Sequence, residues 1–157
     1  MSRIGQVSTP GQIAEVAQLF RAYAASLPVD LGYQDFAAEL ASLPGKYAPP
    51  TGALLVAWGE DGVPLACGAV RPLGDAGRCE MKRLYVAPAG RGMGLGRAMA
   101  EALCAEAARL GYREICLDTL PSMAVAQSLY AGMGFVEIPP YYDTPIAGTR
   151  FLARRLG

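Results

Sequence analysis

The 157-residue sequence contains no histidine and no pair of cysteines spaced as CxxC. Without histidine, the chain lacks the commonest general base and any Ser-His or Cys-His nucleophile pair. A structural zinc site is not expected, because no cysteine-histidine ligand pattern is present. We interpret the four cysteines as reduced, buried, small apolar residues; they are Cys67, Cys79, Cys104 and Cys116.

Long apolar runs and an excess of one charge are also missing. No segment is long enough to span a bilayer, and the N-terminus MSRIGQVSTPG lacks the apolar stretch of a secretory signal. We therefore expect a cytoplasmic protein that does not contact membranes. The formal net charge of +0 argues against a nucleic-acid partner, although it permits a local basic pocket. The length suits one domain over residues 1–157 with a single core.

Hydrophobic periodicity predicts alternating strands and helices. Helices are expected at 10–26, 33–43, 94–110 and 122–134. Strands are expected at 4–7, on both sides of the turn Glu60-Asp61-Gly62, at 79–86, at 114–120, and twice near the C-terminus. This order predicts one α/β or α+β domain.

Residues 91–97 read RGMGLGR, a glycine-rich turn between a predicted strand and a predicted helix. The first N–H groups of a helix have no internal partner, so anions bind there, and Arg91 and Arg97 add positive charge. A phosphate or pyrophosphate is therefore the expected ligand. The Walker and Rossmann patterns both fail, whereas R-x-x-G-x-G fits with Arg91, Gly94 and Gly96. The alternative is an ordinary glycine-rich surface turn.

The run CEMKRLYVAPAGRGMGLGRAMAEAL, followed by LDTLPSMAVAQSLYAGMGF, closely resembles the GNAT N-acetyltransferase superfamily. The R-x-x-G-x-G turn matches the family's pyrophosphate-binding motif. Leu129-Tyr130 to Gly134-Phe135 matches its later helix and strand, and the resemblance covers about 79–138. It implies a mixed central sheet of about six to seven strands flanked by about four helices. Dimers are common in the family, so a homodimer through an exposed late strand is a further expectation.

The resemblance also implies a function, acetyl-CoA-dependent transfer of an acetyl group directly to a primary amine of a small molecule or peptide. The alternative is a non-catalytic module that binds CoA compounds as a sensor or partner subunit. In this family the glycine loop cradles the pyrophosphate, and the preceding strand separates from the next one. The expected cofactor contacts are Leu84, Tyr85, Val86, Arg91, Gly92, Met93, Gly94, Leu95, Gly96, Arg97, Gln127 and Tyr130.

One position departs from the family pattern. Many members carry an asparagine seven residues before the tyrosine of the later helix, where this chain has Met123. The contact is either lost or supplied by another residue, for which Ser122 and Gln127 are the candidates.

Direct acetyl transfer requires an amine that has lost a proton, and a proton for the leaving thiolate. The resemblance implies that Tyr130 is the acid; alternatively, it packs on the cofactor and its hydroxyl only forms a hydrogen bond. Glu80 lies eleven residues before Arg91, like the catalytic glutamate of the family's histone-acetyltransferase branch, and is the candidate base. The alternative for Glu80 is a structural ion pair with Lys82 or Arg83.

Residues 79–86 carry polar side chains at successive positions. Regular alternation predicts Glu80, Lys82 and Leu84 on one face of the strand. The other face would carry Met81, Arg83 and Tyr85. Charges on both faces of a central strand require partners or a cleft.

The acceptor is expected between the early helices and the late loop PPYYDTPIAG. Tyr141 and Tyr142 are predicted to line its pocket, or else one packs on the core and the other lies at the surface. Asp118 is a candidate partner for the acceptor's ammonium group, with helix capping or an arginine pair as alternatives. A substrate carboxylate has three candidate partners, which otherwise form a solvated face: Arg71, Lys82 and Arg83.

Overall fold

The computed structural model describes residues 2–74 and 77–157. The strands are β1 (Arg3–Gln6), β2 (Ala53–Trp58), β3 (Pro64–Pro72), β4 (Arg78–Val86), β5 (Glu114–Thr119), β6 (Val136–Ile138) and β7 (Arg150–Arg155). The α-helices are α1 (Pro10–Ala25), α2 (Phe36–Ser42), α3 (Leu95–Arg109) and α4 (Ala124–Gly132). The seven strands form one sheet in the order β1-β2-β3-β4-β5-β7-β6. Only β4 and β5 pair in parallel, so the sheet is mixed, which confirms the predicted fold class.

Local sequence signals explain where α1 begins. The Thr9 side chain accepts the Gln12 N–H at 3.2 Å, and the Gln12 side chain accepts the Thr9 N–H at the same distance. Pro10 follows at the first helical position, where its missing N–H costs nothing. The helix predicted over 33–43 is wrong as one element. Asp35 adopts a left-handed conformation with φ 56° and separates a 3-10 turn at Leu31–Gln34 from α2.

Two apolar layers pack on opposite faces of the sheet. Met99 and Leu103 of α3 pack on one face, and Val16 and Phe20 of α1 pack on the other. All four cysteines are buried and free, as the sequence predicts. In the two described ranges, no helix is both long and apolar enough to cross a membrane.

A bulge in β4 overturns the predicted alternation of its side chains. Tyr85 pairs with Cys67 and Lys82 with Ala69, so β4 uses one residue more than β3 between these pairs. Arg83 takes up the extra residue with φ 60°. Beyond the bulge the faces are exchanged, so Leu84 joins the α3-side core and Tyr85 joins the α1-side core.

The same strand separates from its parallel neighbour. β4 pairs with β5 only from Arg78↔Glu114 to Glu80↔Cys116. The rest of β4, residues 81–86, leaves β5 and opens a gap in the middle of the sheet. This confirms the separation of strands that the resemblance implies.

Candidate active site

Three adjoining cavities cross the sheet at this separation. The loop cleft, of about 500 Å³, is lined by Tyr85, Val86, Arg91, Gly96, Ser122 and Val125, among others. The strand gap is lined by Lys82, Leu84, Asp118, Met123 and Tyr130, among others. The side pocket, of about 390 Å³, is lined by Tyr33, Glu39, Tyr47, Arg71, Lys82 and Tyr142, among others. Two of these volumes are typical of small-molecule sites.

Shared lining residues show that the three cavities adjoin one another. Leu84 and Met123 line both the loop cleft and the strand gap. Tyr33 and Lys82 line both the strand gap and the side pocket. One molecule can therefore enter along the glycine loop and meet a second molecule that enters from the side pocket.

The glycine loop presents unpaired donors to the loop cleft. Gly92 and Gly94 have φ of 82° and 73°, a region that other residues rarely adopt. The Ala98 N–H donates to the Gly94 carbonyl at 3.1 Å. The three N–H groups before Ala98 have no acceptor within the helix, and they carry the positive end of its dipole. The loop therefore has the geometry of an anion site.

Ten of the twelve predicted cofactor residues fall into three groups. Those that line the loop cleft are Leu84, Tyr85, Val86, Arg91 and Gly96. Those exposed in the loop or first helical turn are Gly92, Met93, Gly94 and Arg97. Leu95 is buried in the α3-side core, so only its backbone can face an anion. Arg91 is held beside the cleft because its Nε donates to the Val86 carbonyl at 3.3 Å.

Gln127 requires a correction. Its Nε2 donates to the Leu120 carbonyl at 2.8 Å, and its Oε1 accepts from Arg150 at 3.0 Å. The amide therefore ties α4 to the chain before it and to β7, and Gln127 is not among the residues that line the loop cleft. Ser122 and Met123 line the cleft there instead.

Tyr130 presents its hydroxyl to the strand gap. The residue is 7% exposed, and its ring lies 5.5 Å from that of Phe135. The hydroxyl makes no hydrogen bond to any residue within 2–74 or 77–157. Burial raises the pKa of Tyr130 well above its usual range, so the phenol retains its proton at neutral pH. It is therefore a buried donor whose proton is not committed to the protein.

Glu80 is buried and fully engaged. It is 1% exposed, its Oε1 accepts from Arg71 Nε at 2.9 Å, and its Oε2 accepts from the Tyr141 hydroxyl at 2.6 Å. Lys82 Nζ lies 3.9 Å from the same Oε2. An ion pair with Lys82 is thus present, whereas Arg83 does not reach Glu80.

Lys82 lies where the strand gap meets the side pocket. Its Nζ donates to Gln34 Oε1 at 3.0 Å and lies 3.6 Å from Asp118 Oδ1. Burial lowers the pKa of Lys82, and the nearby carboxylates of Asp118 and Glu80 oppose that shift. The ammonium is therefore easier to deprotonate than one at the surface.

The two tyrosines of the late loop have different environments. Tyr142 lines the side pocket and donates its hydroxyl to Asp118 Oδ2 at 2.6 Å. Tyr141 supports Glu80, and its ring packs 5.0 Å from Phe151. Tyr141 is not among the residues that line the side pocket. The predicted pocket role therefore fits Tyr142, and the alternative of packing on the core describes Tyr141.

The sequence analysis missed Gln34, which connects the cations of the site. Its Oε1 accepts from both Lys82 and Arg83, at 3.0 and 2.8 Å, and its Nε2 donates to the Tyr33 hydroxyl at 3.1 Å. A single glutamine in a short 3-10 turn carries no sequence signal for such a role. Only the packing of that turn over β4 reveals it.

Tyr23 was also missed, and it allows a test of the burial of the strand gap. Burial raises its pKa from 10.0 to about 12. The buried, protonated Tyr23 hydroxyl makes its full contribution to the stability of the fold below pH 10. This contribution is lost as the pH rises toward 12. We expect the difference in unfolding free energy between the natural protein and Tyr23→Phe to shrink by roughly 2–3 kcal/mol across that window. Denaturant titrations at pH 8 to 12 measure it, and a constant difference would contradict the burial of this hydroxyl.

The residues that the structure describes include no group of three histidine, cysteine, aspartate or glutamate side chains placed to bind a metal.

Known proteins share this fold and this sequence pattern. An uncharacterized N-acetyltransferase of Schizosaccharomyces pombe is 39% identical over 149 residues, which are 95% of this chain and 91% of that protein. A Klebsiella pneumoniae structure, provisionally named an acyl-CoA N-acyltransferase, is 26% identical to this chain with a TM-score of 0.77. The match covers 100% of this chain and 99% of the Klebsiella chain. A provisionally named acetyltransferase of Salmonella typhimurium, solved with its cofactor acetyl-CoA, shares the fold at a TM-score of 0.70 and 20% identity, over 100% of this chain and 95% of its own.

The family model for the Acetyltransferase (GNAT) family matches residues 16–135. That span contains the glycine loop, the separated strands and the buried tyrosine of α4. The chain therefore belongs to the GNAT acetyltransferase family.

Proposed function

We propose that this protein transfers the acetyl group of acetyl-CoA directly to the primary amine of a small molecule or peptide. The observation that carries the proposal is that the loop cleft and the side pocket both adjoin the strand gap, which Tyr130 lines. Two substrates can thus meet beside one proton donor. The Salmonella neighbour, solved with acetyl-CoA, supports the choice of cofactor.

The loop cleft supplies what acetyl-CoA needs for binding. The free N–H groups at the start of α3 and the Arg91 guanidinium suit the pyrophosphate. Residues 81–86 of β4 do not pair with β5, so their backbone groups are available to the amide groups of the pantetheine arm. When bound, acetyl-CoA supplies the activated acetyl group.

Transfer forms a bond between the amine nitrogen and the acetyl carbon and breaks the bond from that carbon to sulfur. Tyr130 is suited to give its proton to the departing thiolate, because its phenol is protonated and lies in the strand gap. The proton that the amine loses passes to a base on the side-pocket side of the gap. Tyr130 is then reprotonated from solvent.

The base role of Glu80 stays a prediction. Both of its oxygens already accept hydrogen bonds and Lys82 lies beside it, so in the proposed route Lys82 first gives a proton to Glu80 and then, as a neutral amine, takes the proton that the acceptor loses. We expect Glu80→Gln to lower turnover and to remove the acidic limb of the pH–rate profile. Turnover by Glu80→Gln at the natural rate, at every pH, would leave Glu80 as a structural ion-pair partner only.

The proposed function is tested by incubating the protein with acetyl-CoA and a panel of amines. Release of free CoA thiol is followed photometrically, and the acetylated product is identified by mass spectrometry. We expect transfer to at least one amine class. Tight binding of acetyl-CoA without transfer to any acceptor would instead support the CoA-binding module.

A further inference from the structure

The cations that line the side pocket are Arg71, Lys82 and the exposed Lys46, and Arg83 lines the adjoining strand gap. Lys82 and Arg83 are both engaged by the protein. Arg83 donates from Nε and Nη2 to the Glu39 carboxylate, at 2.9 and 3.0 Å, and from Nη1 to Gln34 at 2.8 Å. Lys82 donates to Gln34 and lies between Asp118 and Glu80. Neither cation has an uncommitted direction toward the pocket.

Arg71 is different. Only its Nε is used, in the bond to Glu80, and Nη1 and Nη2 donate to none of the residues that the structure describes. Tyr47 lines the same pocket; its hydroxyl is buried near Glu39 and makes no hydrogen bond of normal geometry with the described residues. An unpaired buried hydroxyl is costly, and the Arg71 side chain is 27% exposed, so its free guanidinium edge is open to a ligand that accepts hydrogen bonds.

We propose that the side pocket binds a carboxylate of the acceptor, which makes the acceptor an amino acid or a small peptide. This inference rests on the proposed function. A guanidinium edge with two free N–H groups matches the two oxygens of a carboxylate, and the Tyr47 hydroxyl adds a third donor. Glu39, Glu80 and Asp118 are each paired with a cation, and Asp35 and Lys46, one charge of each sign, also line the pocket.

The strand register places the two ends of such an acceptor. Arg71 lies opposite Glu80, and Lys82 lies opposite Ala69 two residues further along. Two residues of strand span about 7 Å, which is the offset between the register pair Arg71–Glu80 and the register pair Ala69–Lys82. A carboxylate on Arg71 thus leaves the amine of the same molecule directed toward Lys82 and Asp118 at the strand gap.

The proposal is tested with matched acceptors that share one amine. Free amino acids and dipeptides are compared with their C-terminal amides in the acetyl-transfer assay. We expect kcat/KM to be roughly 10- to 100-fold higher for the carboxylates, since a charge-assisted hydrogen bond contributes more than a neutral one.

The variants are Arg71→Lys, which keeps a positive charge beside Glu80, and Tyr47→Phe, which removes only the hydroxyl. Both should raise KM for the carboxylates about 10-fold or more relative to KM for the amides. Arg78→Lys is the matched control, because Arg78 pairs with Glu114 beyond the three cavities. It should leave both KM values unchanged.

The outcomes separate this inference from the proposed function. Equal kcat/KM for carboxylates and amides, or a preference for amides, would overturn the carboxylate site and leave acetyl transfer established. Equal effects of Arg71→Lys on both acceptor types would overturn it as well. Transfer to no acceptor, with acetyl-CoA still bound in calorimetry, would overturn both.

Discussion

Gly96→Glu is expected to weaken acetyl-CoA binding by roughly 100-fold or more. Gly96 lines the loop cleft at the start of α3, so the new carboxylate would stand where the pyrophosphate is proposed to bind. Like charges brought together at a binding site cost several kcal/mol, and each 1.4 kcal/mol is about a factor of ten. Calorimetric titration of acetyl-CoA into the purified variant measures the change.

Gly96 is a better site for this test than Gly94. Gly94 has φ 73°, so a side chain there would strain the backbone and confuse folding with binding. A Cβ at Gly96 would meet Val86 Cγ2 at 3.7 Å, which is ordinary contact. The fold should therefore tolerate the substitution, and thermal unfolding of the variant checks this point.

The matched control for Gly96→Glu is Ala98→Glu. Ala98 is exposed in the same turn of α3, so this change adds the same charge to the same helix end outside the cleft. The Kd of Ala98→Glu for acetyl-CoA should stay within a few-fold of that of the natural protein. Undiminished binding by Gly96→Glu would exclude the start of α3 as the pyrophosphate site.

Tyr130→Phe is expected to lower kcat by roughly 10²- to 10⁴-fold, the usual contribution of a general acid. The change removes only a hydroxyl that makes no hydrogen bond within the described part of the chain, and the ring keeps its contact with Phe135. Stability and affinity for acetyl-CoA should therefore hardly change. Steady-state kinetics with an accepted amine measures kcat, and calorimetry measures the affinity for acetyl-CoA.

Tyr112→Phe serves as the control for the Tyr130 variant. The Tyr112 hydroxyl donates to the Thr51 carbonyl at 2.6 Å, and Tyr112 lines none of the three cavities. Its loss should leave kcat unchanged. If Tyr130→Phe also turned over at close to the natural rate, Tyr130 would only pack in the strand gap, and the thiolate would take its proton from elsewhere.

Local signals in the sequence predicted the parts of the site that one segment forms by itself. The helix predicted at 10–26 begins at Pro10, where the structure shows a capping box whose bonds join Thr9 and Gln12, three residues apart. The glycines of the loop before α3 predict left-handed turns, and Gly92 and Gly94 adopt them. The Asp-Gly turn between β2 and β3 belongs to the same class of short-range signal.

Contacts between distant segments escaped prediction. Gln34 meets Lys82 and Arg83 across almost fifty residues, and nothing near it in the sequence distinguishes it from a surface glutamine. Gln127 has the spacing of a cleft residue, yet Arg150 of β7 and the Leu120 carbonyl occupy its amide. Such pairings depend on how the strands and loops meet, so a single segment cannot specify them.

The sequence by itself predicted one α/β or α+β domain from periodicity and the glycine turn at 91–97 from turn chemistry, and its resemblance to the GNAT family indicated the mixed sheet and the tyrosine of α4. The tertiary structure decided the rest. One inserted residue in β4, opposite Cys67 and Ala69, exchanged the faces of Leu84 and Tyr85. The same stretch of β4 carries Lys82 and Arg83, which both donate to Gln34, whereas Arg71 uses only its Nε among the described residues. A bulge forms only when two strands pair, so neither strand alone predicts these side-chain contacts.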